Sequence, residues 1–145
     1  MNLEEILNKW EYDCTIDNEL LNEEARNIPK LHLKWYRIYV DEHKKLSILK
    51  SQMKELVHYK QLYYAGELSK AALDKLGWNQ FQKDITKATQ KEYVDNDSQI
   101  LKFNTKITDQ QRICTTLESI IDQINKRNFY LKTILDFEKF KNGVV

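Results

Sequence analysis

Glycine and proline are scarce in this chain, which has three glycines and one proline among 145 residues. An all-β sandwich or barrel needs many turns, and these two residue types supply many of them. The scarcity argues against that class of fold and favours long helices. A chain of this length forms one domain by default and can bury a core without disulfides or metal ions. We therefore expect one mainly α-helical domain over residues 1–145.

Cysteines and long apolar runs are also scarce. Cys14 and Cys114 are the only cysteines, and they form neither a C-x-x-C pair nor a metal-ligand cluster, so no disulfide framework is indicated. Both fit buried, reduced cysteines of a cytosolic protein. The acidic, amphipathic N-terminus has no signal-peptide core, and no apolar run approaches the ~20 residues of a membrane span. We expect a cytoplasmic protein without a membrane anchor.

The sequence lacks the residue patterns of catalysis and of metal binding. His32, His43 and His58 are the only histidines, and the first two, although on one side of a helix, lie about three turns or 16 Å apart. Residues 95–97 open like a calcium-binding loop but lack its glycine and its closing glutamate. The chain has no Walker A motif, no G-x-S-x-G motif and no conspicuous pair of carboxylates. We expect a protein that is not an enzyme and that holds no metal ion and no cofactor.

Charge is balanced overall but unevenly distributed. The formal net charge is +1, yet residues 1–28 carry −6, residues 30–61 carry +5 and residues 126–141 carry +3. Such asymmetry points to an anionic partner for the basic segments. Alternatively, the acidic N-terminus packs on the basic helix of its own or of a neighbouring subunit, and both explanations can hold at once.

Short helices are expected in the acidic segment of residues 1–28. Asn2 with Glu5 three positions later forms a capping-box pattern, which predicts a first helix over residues 3–14. A second helix, capped at residue 17 or 18, would follow. Pro29 is expected to break or restart the chain, since proline suits the first turn of a helix.

Two long amphipathic helices are predicted next, over residues 30–65 and 98–125. In the first, apolar side chains fall in one stripe about 100° wide, opposite a basic side. A helix that long needs a long partner, and the second has an apolar face of its own, so we expect an antiparallel helical hairpin. Between them, residues 69–76 are predicted to form a short helix, while residues 78–97 allow a loop, an extended piece or more helix.

The C-terminal segment, residues 126–142, is apolar around about two thirds of the circumference of a helix. A helix that is apolar on most sides must be covered on most sides, and a single hairpin can cover only one. We therefore expect an oligomerisation helix that other copies of the chain cover; the alternative is a helix buried in its own subunit. The candidate assembly residues are Phe129, Leu131, Ile134, Leu135, Phe137 and Phe140.

The end of the first long helix carries a candidate site for single-stranded nucleic acid. Cations can neutralise phosphates and tyrosine rings can stack on unpaired bases. The alternative is a helix end whose tyrosines are core and whose lysines are solvated. Lys60 lies inside the apolar stripe, so it either extends past the core or faces an anionic ligand. The candidate DNA-binding residues are Lys54, His58, Tyr59, Lys60, Tyr63 and Tyr64.

A collinear set of residues resembles the UvsY family of recombination mediators from T-even-type bacteriophages, over essentially the whole chain. The matching N-terminal positions are Leu3-Glu4, Asp13, Ile16-Asp17, Leu21, Glu24-Ala25, Asn27, Leu31 and Lys34-Trp35. The later ones are His58, Lys60, Tyr63, Tyr64, Gly66, Asp97, Ile100-Leu101-Lys102, Thr105, Ile107, Arg127, Phe129, Lys132, Ile134, Phe140 and Gly143. Two departures matter. His58 replaces a lysine of the family's basic cluster, so charge there depends on pH, and residues 68–82 match poorly.

The resemblance implies a non-enzymatic function. Members of the family form rings, of about six or seven subunits, that bind single-stranded DNA. They help the phage recombinase to displace the phage single-strand-binding protein, so the partners would be DNA and those two proteins, in the cytoplasm of the infected bacterial host. The alternative function, from another class, is a coiled-coil scaffold or assembly adaptor that does not bind DNA.

Overall fold

Helices account for nearly all the regular structure of residues 1–143, which are the residues that the computed structural model describes. No strand is present among them. The elements are α1 (Leu3–Asp13), a 3₁₀ helix (Asn18–Leu20), α2 (Leu21–Tyr64), α3 (Lys70–Leu76), α4 (Lys87–Asp95), α5 (Ser98–Asn125) and α6 (Arg127–Lys141). None of these helices is long and apolar enough to span a bilayer.

The chain divides into two units, to which both α2 and α5 contribute. The terminal unit contains residues 1–44 and 110–143, and the central unit contains residues 45–109. The predicted single domain over the whole chain stays a prediction.

Within the terminal unit, α2 and α5 run antiparallel. The Gln110 side chain donates to the backbone oxygen of Glu42 at 2.9 Å and to its carboxylate at 2.7 Å. At the other end, Arg127 donates to Glu24 at 2.8 Å. A residue near the middle of α2 thus meets one near the middle of α5, and an early residue of α2 meets the first residue of α6, just beyond the end of α5. The predicted mainly α fold with a long helical hairpin is confirmed.

Local signals set the N-terminal elements, with one correction. Asn2 and Glu5 form the predicted capping box of α1. Asp17 accepts a hydrogen bond from the backbone of Glu19, but it caps only the 3₁₀ helix. The predicted break at Pro29 is wrong, because α2 runs through it from Leu21. A proline inside a helix removes one hydrogen bond, and the neighbouring Ile28 is partly buried against the core of the same unit.

The core of the terminal unit surrounds the fully buried Trp35. Its ring meets Trp10 edge to face at 5.6 Å between centroids, and its indole N–H donates to Asp13 at 2.9 Å. Lys34 donates to the same carboxylate at 2.7 Å. The acidic N-terminus therefore does pack on the basic helix of its own chain. The buried members of this core are Ile6, Trp35, Ile113, Leu117, Ile120 and Ile124.

Arg127 fixes the start of α6 in the same unit. It is 6% exposed and donates to the backbone oxygens of Cys14 and Thr15 at 3.3 and 3.1 Å, as well as to Glu24. The expectation of two buried cysteines is half wrong: Cys114 is buried, whereas Cys14 is exposed. Cys14 lies at the end of α1, where its backbone rather than its side chain is engaged by Arg127.

In the central unit, the short helix predicted over residues 69–76 is α3. It is capped by Ser69 and ended by Gly77, whose φ of +72° suits glycine at a helix end. The segment that the sequence left unassigned holds α4, capped by Thr86. The start of α5 at Ser98 agrees with the prediction. Asp97 caps it, because its carboxylate accepts from the backbone N–H groups of residues 99 and 100 at 2.9 and 3.2 Å.

Candidate nucleic-acid interface

Lys60, the central cation of the predicted DNA site, is buried in the central unit. It is 5% exposed, and its ammonium lies 3.0 Å from the carboxylate of Asp97. It also lies 4.0 Å from the centroid of the Trp78 ring and 5.4 Å from that of Tyr63. A cation held by a carboxylate and two rings in this way is oriented by its own chain. This arrangement differs from both alternatives expected for Lys60, since the ammonium neither extends past the core to solvent nor faces an anionic ligand from outside the chain.

Tyr64 completes this buried polar group by donating its hydroxyl proton to Asp97 at 2.7 Å. Burial raises the pKa of the Tyr64 phenol, and the hydrogen bond to the carboxylate raises it further. Burial also raises the pKa of the Asp97 carboxyl, but hydrogen bonds from Tyr64, Lys60 and the backbone of Ile100 outweigh that effect and leave the pKa below its usual value. At neutral pH Asp97 is therefore a carboxylate and Tyr64 is a neutral phenol.

Tyr63 belongs to the aromatic cluster that encloses this group. Its hydroxyl donates to the backbone oxygen of Asn79 at 2.6 Å, and its ring meets Trp78 at 5.4 Å between centroids. The rings of the cluster pack mostly edge to face, an arrangement that stabilises a core. We call it the central aromatic cluster, and its members are Tyr63, Tyr64, Trp78, Phe81 and Tyr93.

The other predicted DNA-binding residues lie on the surface of α2. Lys54 and His58 are exposed, one helical turn apart, and Tyr59 is half-buried. The rings of His58 and Tyr59 lie 6.0 Å apart between centroids. Within residues 1–143, neither Lys54 nor His58 takes part in an ion pair. The structure thus separates the predicted set into two exposed positions, Lys54 and His58, and a supporting group in which Lys60 is buried and Tyr63 and Tyr64 are half-buried.

The predicted assembly residues lie on different sides of α6. Leu131 is buried and Ile134 is half-buried, so these two face their own chain. Phe129, Phe137 and Phe140 are 69%, 62% and 82% exposed. Leu135 is also exposed, at 44%. The terminal unit thus covers one side of α6 and leaves a row of large apolar side chains in contact with solvent.

Sequence reasoning missed the partners of Lys60. Nothing local links Asp97 or Trp78 to a lysine more than a dozen residues earlier in the chain. One signal was present, since a lysine within an apolar stripe calls for a buried counter-charge or an exit to solvent. Asp97 has two functions in the structure: one of its carboxylate oxygens pairs with Lys60 and the other caps α5.

Comparisons with known proteins agree with this architecture. The model of the family "Recombination, repair and ssDNA binding protein UvsY" matches residues 9–144. Recombination protein uvsY of Enterobacteria phage T4 is 24% identical over 143 residues, covering 99% of each chain. A crystal structure of the bacteriophage T4 recombination mediator protein UvsY aligns with a TM-score of 0.83 over 97% of this chain and 99% of that one, at 24% identity. A second crystal form aligns at the same identity with a TM-score of 0.82, over 98% of each chain.

Proposed function

This chain belongs to the UvsY family of recombination, repair and single-stranded-DNA-binding proteins, and we propose that it acts as a recombination mediator. In this proposal a ring of identical subunits binds single-stranded DNA and helps to load a recombinase onto DNA that is covered by single-strand-binding protein. The observation that carries the proposal is the family match, which extends over nearly the whole chain.

The DNA-binding element we propose has an exposed layer and, behind it, a supporting layer in which Lys60 is buried and two tyrosines are half-buried. Lys54, His58 and Tyr59 contact DNA directly from the surface of α2. Lys60, Tyr63 and Tyr64 support them, because their contacts with Asp97 and the neighbouring rings fix the last turns of that helix. Cations without a partner in their own chain attract phosphates, and a half-buried ring offers a face to a base.

Self-assembly makes a weak site useful. The exposed residues of α6 become covered by other copies of the chain, since a row of large apolar side chains is otherwise left in water. Once one subunit of a ring has bound a strand, each further contact is intramolecular, so the total affinity exceeds that of one subunit. Binding without base readout lets such a ring act anywhere on a strand.

The partners in this proposal are single-stranded DNA, the phage recombinase and the phage single-strand-binding protein, in the cytoplasm of the infected bacterium. Bending the strand around the ring would loosen the resident binding protein and present DNA to the recombinase. This step needs no catalysis by the mediator, because displacement follows from competition for the same strand.

Fluorescence anisotropy with labelled oligo-dT tests the proposal. We expect saturable binding at low salt, with log affinity falling against log salt at a slope of about −0.7 for each phosphate neutralised. The full function is tested by adding recombinase to DNA that is saturated with single-strand-binding protein and measuring filament formation with and without this chain. Absence of saturable binding would instead support the scaffold or adaptor alternative.

A further inference from the structure

An open groove of about 420 Å³ lies in the central unit, between the last turns of α2 and helix α4. None of the candidate DNA-binding residues named from the sequence lines it. Its lining residues are Val57, Gln61, Lys87, Gln90, Lys91, Val94 and Asp95.

The chemistry of this groove fits a chain of alternating apolar and anionic groups. Val94 is buried and Val57 is half-buried, which gives the groove an apolar floor. Lys87 and Lys91 lie one turn apart on α4, and both are exposed. Within the part of the chain that the structure describes, neither lysine takes part in an ion pair. The groove therefore offers two available cations beside an apolar surface.

The α2 side of the groove faces the same way as the exposed cations of that helix. At 3.6 residues per turn, Lys50, Lys54 and Gln61 lie within about 60° of Val57 around the helix axis. Lys50 and Lys54 are exposed and, within residues 1–143, free of ion pairs. A strand that follows this row of lysines along α2 therefore reaches the groove.

We propose that α4 forms a second wall of the single-stranded-DNA site, in which Lys87 and Lys91 bind phosphates. A base or sugar lies on Val57 and Val94, and this apolar contact does not distinguish one base from another. The inference rests on the proposed function and adds to it a binding element that the sequence did not indicate. A strand entering the groove passes between two helices of one unit, so a bound strand is held on two sides instead of one.

Charge favours DNA over another copy of the chain as the occupant. The exposed apolar face of α6, the other candidate, lies among basic residues, and residues 126–141 carry a net +3. Two lysines at the rim of the groove would repel such a helix, whereas they attract phosphates. One carboxylate, that of Asp95, lies at the rim and opposes an anionic ligand.

The first test is Lys87→Gln with Lys91→Gln in the full chain, measured by anisotropy with labelled oligo-dT. Affinity should fall by about tenfold at low salt, and the slope of log affinity against log salt should become shallower by about 1.4 for each subunit that contacts DNA. The matched control is Lys70→Gln with Lys75→Gln on α3. That control removes two exposed lysines from the same unit and should leave the slope unchanged.

The second test changes the charge of the groove in the opposite sense. Asp95→Asn should tighten binding by a few-fold, since it removes the opposing carboxylate, while Asp74→Asn on α3 should have no effect. Circular dichroism and sedimentation of every variant verify that fold and assembly are intact.

The outcomes separate the groove from the function as a whole. If the wild-type chain does not bind oligo-dT, the proposed function fails and the inference fails with it. If the wild type binds, but the α4 double variant matches the α3 control and Asp95→Asn has no effect, the groove alone is refuted. A photo-crosslinking residue at Gln90 gives an independent readout, because it should capture labelled oligo-dT only when the strand enters the groove.

Discussion

Two sets of aromatic side chains in this molecule have opposite surroundings. The rings of the central aromatic cluster are half-buried within their own unit and pack around a buried ion pair. The exposed aromatic row of α6, formed by Phe129, Phe137 and Phe140, has no such cover within the described chain. The comparison separates two uses of the same chemistry: the first set stabilises one subunit, and we propose that the second joins subunits together.

The charged residues of the two regions also differ in burial. The Lys60–Asp97 pair lies among rings, where water screens it little and where loss of either partner leaves a buried charge. Lys132 and Lys139 of α6 are exposed, where charges are solvated and contribute little to stability. Substitutions in the central aromatic cluster should therefore affect folding first, and those on α6 should affect assembly first.

The largest effect is expected from Phe137→Glu. In the single subunit this side chain is mostly exposed, so folding should be unaffected. In an assembled ring a glutamate there would be buried without a partner, which costs several kcal/mol. We expect analytical ultracentrifugation to show dissociated subunits and DNA affinity to fall by about 100-fold or more through lost avidity.

Tyr12→Glu is the control for that substitution, since Tyr12 is 85% exposed on α1 of the same unit and the change adds the same charge. Tyr12→Glu should leave the mass of the sedimenting species equal to that of the wild type. If Phe137→Glu sediments as the wild type does, α6 does not hold the proposed ring together, and α1 or the hairpin would have to do so.

A loss of stability of about 3 kcal/mol is expected from Lys60→Ala, because it leaves the Asp97 carboxylate buried without its cation. Urea unfolding monitored by tryptophan fluorescence measures this loss. Lys60→Ala combined with Asp97→Asn should recover part of it, since the orphaned charge is removed. If Lys60→Ala retains full stability but binds DNA with a shallower salt slope, Lys60 contacts phosphate directly, as the sequence first suggested.

The sequence predicted elements that have local signals and missed those that depend on distant contacts. Asn2 with Glu5 marked the start of α1 correctly, and the short helix predicted over residues 69–76 corresponds to α3. Continuation of α2 through Pro29 depends on packing with residues far along the chain. Helix α4 is short and weakly patterned, so its periodicity could not distinguish it from a loop.

The candidate site was predicted in the same uneven way. The position of Lys60 within the apolar stripe indicated something unusual, but its partner Asp97 lies 37 positions along the chain and no local rule links the two. The exposed positions Lys54 and His58 could be read directly from helix periodicity. The groove beside α4 could not be, because one of its walls had no predicted structure.

Acid should weaken the central unit through Asp97. Its folded-state pKa lies below its usual value, so the stabilisation is complete above the unfolded pKa of about 4 and is lost as pH falls through the folded value. Asp97→Asn should be less stable than the wild type at pH 7 and should lose less stability between pH 7 and pH 2. Urea unfolding across that range measures the difference. Asp95→Asn, which changes an exposed carboxylate, should retain the wild-type acid dependence. If the free energy of unfolding falls equally with pH for the wild type and both variants, the acid sensitivity does not come from Asp97.

The smallest effect is expected from His58→Lys, which changes only the exposed layer of the site. His58 is exposed and, within residues 1–143, has no ion pair, so a lysine there should not alter folding. It places a permanent cation beside Lys54 in place of an imidazole. Affinity for oligo-dT at neutral pH should rise by a few-fold, and the slope of log affinity against log salt should steepen by about 0.7 for each contacting subunit.

The control is Gln52→Lys, on an exposed position of the same helix about 120° around the axis from His58. Equal gains from the two substitutions would mean that net charge, and not the position of His58, controls binding, and the row of cations on α2 would then lose its assigned role.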